Sequence, residues 1–105
     1  MRPIYFTTVN GDAKVVPLDI YIQPPFQVMI ECEVVGAATY GVETTRDNIF
    51  DPTVTPIWTA SDVAALNPGA VATQRGYQTT PCRALRFSQT AGAGGVKCKV
   101  IQQGM

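Results

Sequence analysis

The sequence predicts an all-β protein: an antiparallel β-sandwich of the jelly-roll or immunoglobulin-like type, with seven to eight short strands and one short helix. Three observations predict it. Apolar and polar residues alternate over several short stretches, turn-forming residues recur about every ten residues, and only one stretch has helical character. A chain of 105 residues suits one domain, which we expect to span residues 1–105.

The first segment predicts two strands joined by a tight turn. Residues 4–9 are aromatic and β-branched, and Asn10-Gly11 separates them from a second apolar run. Asn-Gly between two such runs is typical of a type I′ hairpin, because both residues tolerate positive φ. Pro17 interrupts the second run or marks it as an edge strand.

The clearest strand follows Pro24-Pro25, which breaks the chain before it. Its apolar residues recur at every second position and predict one buried face: Phe26, Val28, Ile30, Cys32 and Val34. Gln27, Met29, Glu31 and Glu33 share the opposite, wet face. Gly36 ends the strand, a second strand alternates through Tyr40, Val42 and Thr44, and residues 56–59 predict a short third one.

The second half of the chain begins with the only helical stretch, residues 61–66. Ser61 can cap this helix, and Asn67-Pro68-Gly69 stops it after one or two turns. Residues 69–81 predict a loop with one short strand. The glycine-rich stretch 91–95 then joins two final strands as a hairpin. Pairing in that hairpin would bring four basic residues into a small stripe on a solubilising sheet face: Arg83, Arg86, Lys97 and Lys99.

The residue types argue against catalysis. The chain contains no histidine, which removes Ser-His-Asp and Cys-His systems and most zinc sites. Glu31 and Glu33 could resemble a pair of glycosidase carboxylates, but a solvated strand face explains them equally well. Asp47, Asn48 and Asp51 match no calcium-binding loop and suit turn capping. We expect no enzyme activity, no cofactor and no metal.

The bulk composition limits the partners and the compartment. Eight basic and eight acidic residues cancel, so the chain lacks the basic footprint of a nucleic-acid binder. No apolar leader follows Met1, and we expect no membrane span. The three cysteines form no Cys-x-x-Cys pair, and we expect them to be reduced and mostly buried, with one disulfide plus one free thiol as the alternative.

A series of short motifs follows in fixed order along residues 17–104: Asp19, Tyr21, Pro25 and Phe26; then Tyr40, Val42, Thr45 and Asp47; then Trp58; then Pro81, Arg83, Ala84, Leu85 and Arg86; and last Val100, Ile101 and Gln102. In this order the motifs resemble those of a group of small virion proteins of tailed bacteriophages. Asn48 stands where that pattern has a second acidic residue.

The resemblance implies a β-sandwich that is a structural component of a phage virion, assembled in the host cytoplasm. We expect a capsid decoration or cement protein that binds the major capsid protein and stabilises the shell, as a homo-oligomer, either dimer or trimer. A neck, tail or baseplate component is the first alternative. An alternative of another class is a carbohydrate-binding surface module, which predicts Trp58 and Tyr77 exposed on one face.

Three places in the chain are candidate partner contacts. The terminus, residues 1–9, is apolar and could dock as an N-terminal arm. The turn-rich loop after the second clear strand and a polar loop near residue 77 are the others. The candidate partner-binding residues are Arg2, Ile4, Tyr5, Phe6, Arg46, Ile49, Phe50 and Tyr77.

Overall fold

The computed structural model describes residues 3–18 and 27–102, which form eight strands and a single 3₁₀ turn. The elements are β1 Ile4–Thr8, β2 Ala13–Pro17, β3 Val28–Val35, β4 Thr39–Thr45, β5 Thr59–Ala60, the 3₁₀ turn Ala64–Leu66, β6 Gln74–Gln78, β7 Ala84–Ala91 and β8 Gly95–Gln102. The break at Pro24-Pro25, the face residue Phe26 and the candidate contact Arg2 lie outside the described residues.

The strands form two antiparallel four-stranded sheets that pack face to face. Sheet A has the order β1-β8-β3-β6, and sheet B has the order β2-β7-β4-β5. The chain pairs like one long hairpin, β1 with β8, β2 with β7, β3 with β6 and β4 with β5. Pairing of β3 with β8 and of β4 with β7 rolls this hairpin up. The predicted sandwich is therefore confirmed, and its strand order is that of a jelly roll.

The core lies between the sheets and is built by the predicted apolar faces. Val28, Ile30 and Cys32 of β3 are buried, as are Val96, Cys98 and Val100 of β8. From sheet B, Val42, Leu85 and Phe87 meet them. The Phe6 ring packs edge-on against Phe87 with the two centroids 5.1 Å apart, which joins the two sheets.

The predicted hairpin at Asn10-Gly11 is wrong, because β1 lies in sheet A and β2 in sheet B. The Asp12 N–H donates to the Val9 carbonyl oxygen at 3.0 Å, and Gly11 has a φ of 93°. Among the described residues only glycines have positive φ, which excludes a type I′ turn. Positive φ at the third position alone is typical of a type II turn, which here forms a corner between the sheets.

The predicted terminal hairpin is wrong for the same reason, since β7 belongs to sheet B and β8 to sheet A. The glycines between them allow close contact with the β3–β4 corner. A Cβ on Gly92 would lie 2.2 Å from the Ala37 carbonyl oxygen, and one on Gly94 would lie 2.2 Å from that of Val35. The Gly94 N–H also donates to the Ala37 carbonyl oxygen at 2.8 Å. Two corners of the chain thus cross backbone against backbone.

This crossing also removes the predicted basic stripe. Arg86 points outward from sheet B, whereas Lys97 and Lys99 belong to β8 of sheet A. Arg86 therefore lies on the opposite side of the sandwich from Lys97 and Lys99.

The predicted helix is a single 3₁₀ turn that ends before Asn67. Its N-cap is Val63 and carries no side-chain hydrogen bond, so the capping role expected for Ser61 is wrong. The Ser61 hydroxyl donates to the Val63 carbonyl oxygen at 3.2 Å instead. Over residues 3–18 and 27–102, no helix has the length and apolar character needed to cross a membrane.

Candidate interaction surface

The loop between β4 and β5, residues 46–58, presents an unusual amount of apolar surface. Phe50 is 76 % exposed and Ile57 is 72 % exposed, and Val54 is exposed between them. Single exposed apolar residues are normal on protein surfaces, so three within one loop make this segment a candidate contact surface. We name this segment the β4–β5 loop.

Side-chain acceptors hold the β4–β5 loop in shape. The Ile57 N–H donates to Asp47 Oδ2 at 2.7 Å, which ties the end of the loop to its beginning. The Phe50 N–H donates to Asn48 Oδ1 at 3.0 Å. Asp51 Oδ1 accepts from both the N–H and the hydroxyl of Thr53, and these bonds hold the pKa of Asp51 below its usual value. The apolar side chains are therefore presented by an ordered turn structure.

The turn-capping role predicted for Asp47, Asn48 and Asp51 is confirmed by these bonds. Their side-chain oxygens accept hydrogen bonds from backbone N–H groups of the same loop, as is typical of Asp and Asn in turns. Among the described residues, no group of three or more His, Cys, Asp or Glu side chains is placed to hold a metal ion.

The candidate residues of this loop differ in how accessible they are. Arg46 and Phe50 are exposed, whereas Ile49 is half-buried. Val54 and Ile57 were missed at the sequence level. Their sequence does carry a signal: these apolar residues lie in a turn-rich stretch and do not alternate with a period of two. Apolar residues without that alternation do not belong to the buried face of a strand, so exposure could have been predicted for them.

The predicted N-terminal arm is the edge strand β1. Ile4 and Phe6 turn inward and pack against the core, and their side chains have a structural role. Tyr5 points outward and is 63 % exposed. Of the described candidate contacts in the arm, Ile4, Tyr5 and Phe6, Tyr5 is the one whose side chain is exposed, and its contact role stays a prediction.

Tyr77 lies on β6, at the other edge of sheet A, and is 49 % exposed. The pairing register places it outward beside Met29, while Tyr5 is outward beside Lys99. Tyr5 and Tyr77 therefore share one surface, the outer face of sheet A, even though they come from distant parts of the sequence.

Glu31 and Glu33 also point outward from this sheet, on the face opposite to the core. Glu31 Oε1 lies 3.2 Å from Lys99 Nζ, an ion pair across two neighbouring strands. Glu31 lines an open concavity of about 370 Å³ together with Thr73, Gln74 and Arg75. Glu33 does not line it, so this concavity does not enclose the two carboxylates that a glycosidase mechanism would need.

Trp58 lies on the outer side of sheet B and not in the core. The guanidinium carbon of Arg86 lies 4.7 Å from the centroid of the Trp58 ring and covers one ring face. Tyr77 is on sheet A, on the opposite side of the molecule. The shared platform that the carbohydrate-binding alternative predicts is therefore not formed by these two rings.

The three cysteines are free and buried, and Cys32 lies directly opposite Cys98 on neighbouring strands. A hydrogen bond with Cys98 and burial both raise the pKa of the Cys32 thiol well above its ordinary value. Burial raises the pKa of Cys82 to about 11, with the charge of Arg46 opposing the shift. Such thiols are weak nucleophiles at neutral pH and act as small core residues.

Comparison of the chain with protein-family models, with curated proteins and with solved structures finds no match.

Proposed function

We propose that this chain is a structural component of a tailed-bacteriophage particle, and more specifically a capsid decoration or cement protein that binds the major capsid protein. The observation that carries the proposal is the β4–β5 loop, in which hydrogen bonds hold Phe50 and Ile57 in exposed positions. An ordered loop meets little entropic cost on docking, because its backbone is already fixed.

The energy available from this loop is modest for one contact. Complete burial of one such apolar side chain contributes roughly 1.5–3 kcal/mol, and binding must first offset the loss of rotational and translational freedom. A repeated shell with many equivalent sites suits such a contact. An oligomer that engages several sites at once gains avidity without any new type of contact.

Other features support the same proposal. Jelly-roll sandwiches occur among viral capsid proteins and among lectins, which is support by analogy of fold alone. A net charge of zero removes much of the repulsion between copies that sit close together on one shell. Assembly of the particle in the host cytoplasm agrees with three free, buried thiols.

Co-sedimentation with expanded, empty shells tests the proposal. The shells are assembled from the major capsid protein of the proposed parent phage, and the bound copies are counted from band intensity. We expect saturable binding at many symmetry-related sites. Phe50→Ser and Ile57→Ser should each weaken it by about tenfold, from the apolar burial they remove. Val71→Ser is the matched control, since Val71 is an exposed apolar residue outside the loop.

One result would count against decoration of the shell, and another against the β4–β5 loop as its contact. Wild-type protein that stays in the supernatant removes the shell as the partner, and the neck or tail then becomes the next location to test. Equal binding of Phe50→Ser, Ile57→Ser and Val71→Ser would leave the shell as the partner but remove the β4–β5 loop as the contact. Glycan binding in a separate assay would favour the carbohydrate-binding alternative.

A further inference from the structure

The outer face of sheet A carries three rows of outward side chains, which the pairing register defines across its strands. The first row is apolar and contains Ile101, Met29 and Tyr77. The second row crosses all four strands and contains Tyr5, Lys99, Glu31 and Arg75. The third row contains Thr7, Lys97 and Glu33. The rows thus combine apolar, aromatic and charged side chains on one four-stranded surface.

The charges on this face are sorted by strand. The outward charges of β8 are both positive, Lys97 and Lys99, and those of β3 are both negative, Glu31 and Glu33. Each lysine lies directly opposite a glutamate. Lys99 and Glu31 form an ion pair, but Lys97 and Glu33, both within the described part of the chain, form none with each other or with another described residue. One charge of each sign therefore remains available for a partner.

Two adjacent lines of opposite charge make the face complementary to itself. Consider a two-fold axis that runs parallel to the strands, between β8 and β3. A second copy related by this axis faces the first, with its β8 over β3 of the first copy and the rows at the same height. Lys97 then meets the second copy's Glu33, and Lys99 meets the second copy's Glu31, each twice by symmetry.

The other rows fit the same arrangement. Tyr5 comes over the second copy's Arg75, a pairing of an aromatic ring with a guanidinium. Ile101 comes over the second copy's Met29, and by symmetry Met29 comes over the second copy's Ile101, so these two apolar side chains are buried against each other. Packed sheets cross at about 30°, and this crossing displaces strands far from the axis most, relative to the strands of the second copy that they face. The strands next to the axis, β8 and β3, therefore stay best aligned with their counterparts. We propose that a second copy of this chain binds the outer face of sheet A about this axis.

The size of the face predicts a weak dimer. Four strands about 4.8 Å apart and three rows about 7 Å apart give a footprint of roughly 400 Å² per copy. A total near 800 Å² is below the 1,200–2,000 Å² that stable complexes typically bury. We therefore expect a dissociation constant of roughly micromolar or weaker, and partly exposed ion pairs that weaken as salt rises. The proposal does not depend on a capsid partner.

Sedimentation velocity over about two decades of protein concentration, at low salt, tests the dimer. Lys97→Glu places like charges opposite Glu33 at two symmetric positions, and we expect the dimer to weaken by more than about tenfold. The exchange Lys97→Glu with Glu33→Lys restores opposite charges and should restore the dimer. Lys14→Glu is the matched control, because Lys14 is exposed on sheet B and the charge change is the same.

The outcomes separate clearly. A dimer that Lys97→Glu disrupts, that the charge exchange restores and that Lys14→Glu leaves intact supports the interface. Wild-type protein that stays monomeric throughout overturns it, and so does a dimer that responds equally to Lys97→Glu and Lys14→Glu. Circular dichroism of each variant shows whether it is folded. Because Lys97 has no intrachain ion pair, we expect all of them to fold.

Discussion

The guanidinium of Arg86 lies over the ring of Trp58, with its central carbon 4.7 Å from the ring centroid, and its Nη2 donates to Glu43 Oε1 at 2.7 Å. Arg86 thereby joins β7, β4 and the last residue before β5 on the outer side of sheet B. Trp58 is also the final residue of the β4–β5 loop. The contact therefore fixes the point at which the candidate docking loop returns to sheet B.

Trp58→Ala should lower the free energy of unfolding by about 1 kcal/mol, because it removes the ring that the guanidinium covers. Trp58→Phe keeps an aromatic face and should retain more than half of that energy. Urea unfolding followed by circular dichroism measures both. Equal losses for the two variants would show that the ring face contributes nothing and that the size of the side chain decides the effect.

Gly76→Ala should destabilise the protein by about 1–3 kcal/mol, because of overpacking. A Cβ on Gly76 would lie 2.6 Å from a methyl carbon of Val63, which packs over β6. Val63→Ala removes that methyl group, so the double variant should lose clearly less than the sum of the single losses. Additive losses in the same urea experiment would mean that Gly76 is needed for its backbone and not for the space above it.

Thiol reagents should label the cysteines of the native protein only as fast as local or global unfolding exposes them. All three cysteines are buried, and the pKa values of Cys32 and Cys82 are raised. We expect slow reaction with an aromatic disulfide reagent in buffer, faster reaction as urea is added, and release of three equivalents after unfolding. Fast labelling of one thiol in buffer would contradict the packing described for it.

Acid should remove a stabilising contribution of Asp62. Its carboxylate accepts hydrogen bonds from the N–H groups of Thr80 and Thr79, which lower the pKa of Asp62 in the folded state. Because the pKa of Asp62 is lower in the folded than in the unfolded state, its carboxylate contributes to the free energy of unfolding at pH values above the unfolded pKa of about 3.9. This contribution is lost as the pH falls through the folded-state pKa.

Asp62→Asn is the variant that isolates this effect. The difference in unfolding free energy between wild type and variant should be largest near neutral pH and shrink below about pH 4. Urea titrations at a series of pH values measure it. A difference that stays constant across this range would show that the charge of Asp62 is not what matters.

Local alternation predicted which side of a strand faces the core, and it did so well. Ile30, Val42 and Val100 all point inward as their period of two indicates. Alternation does not say which strand lies beside which. The turn signals at residues 10–11 and 91–95 are typical of hairpins, but positive φ is needed equally at a corner that crosses between sheets.

The candidate surface was predicted in part for a similar reason. Phe50 lies in a stretch whose turn residues place it outside the core. The loop predicted near residue 77 is wrong, because Tyr77 lies on the outward face of β6, but both side chains are exposed as expected. The inward position of Ile4 and Phe6 depends on β8, which lies more than ninety residues away and pairs Ile4 with Val100. The exposure of Ile57 depends on a bond to Asp47, ten residues earlier, which no local pattern reveals.

The rolled hairpin has a consequence for how the chain is made. In each sheet a strand from the end of the sequence, β8 or β7, lies between two strands from earlier in it. A ribosome therefore releases most of the domain before either sheet can form, and until then the apolar side of β3 has nothing to cover it. We expect folding to be late, slow and nearly all at once, as long-range β topologies are, which would make slow, cool expression with chaperones the sensible way to obtain the protein.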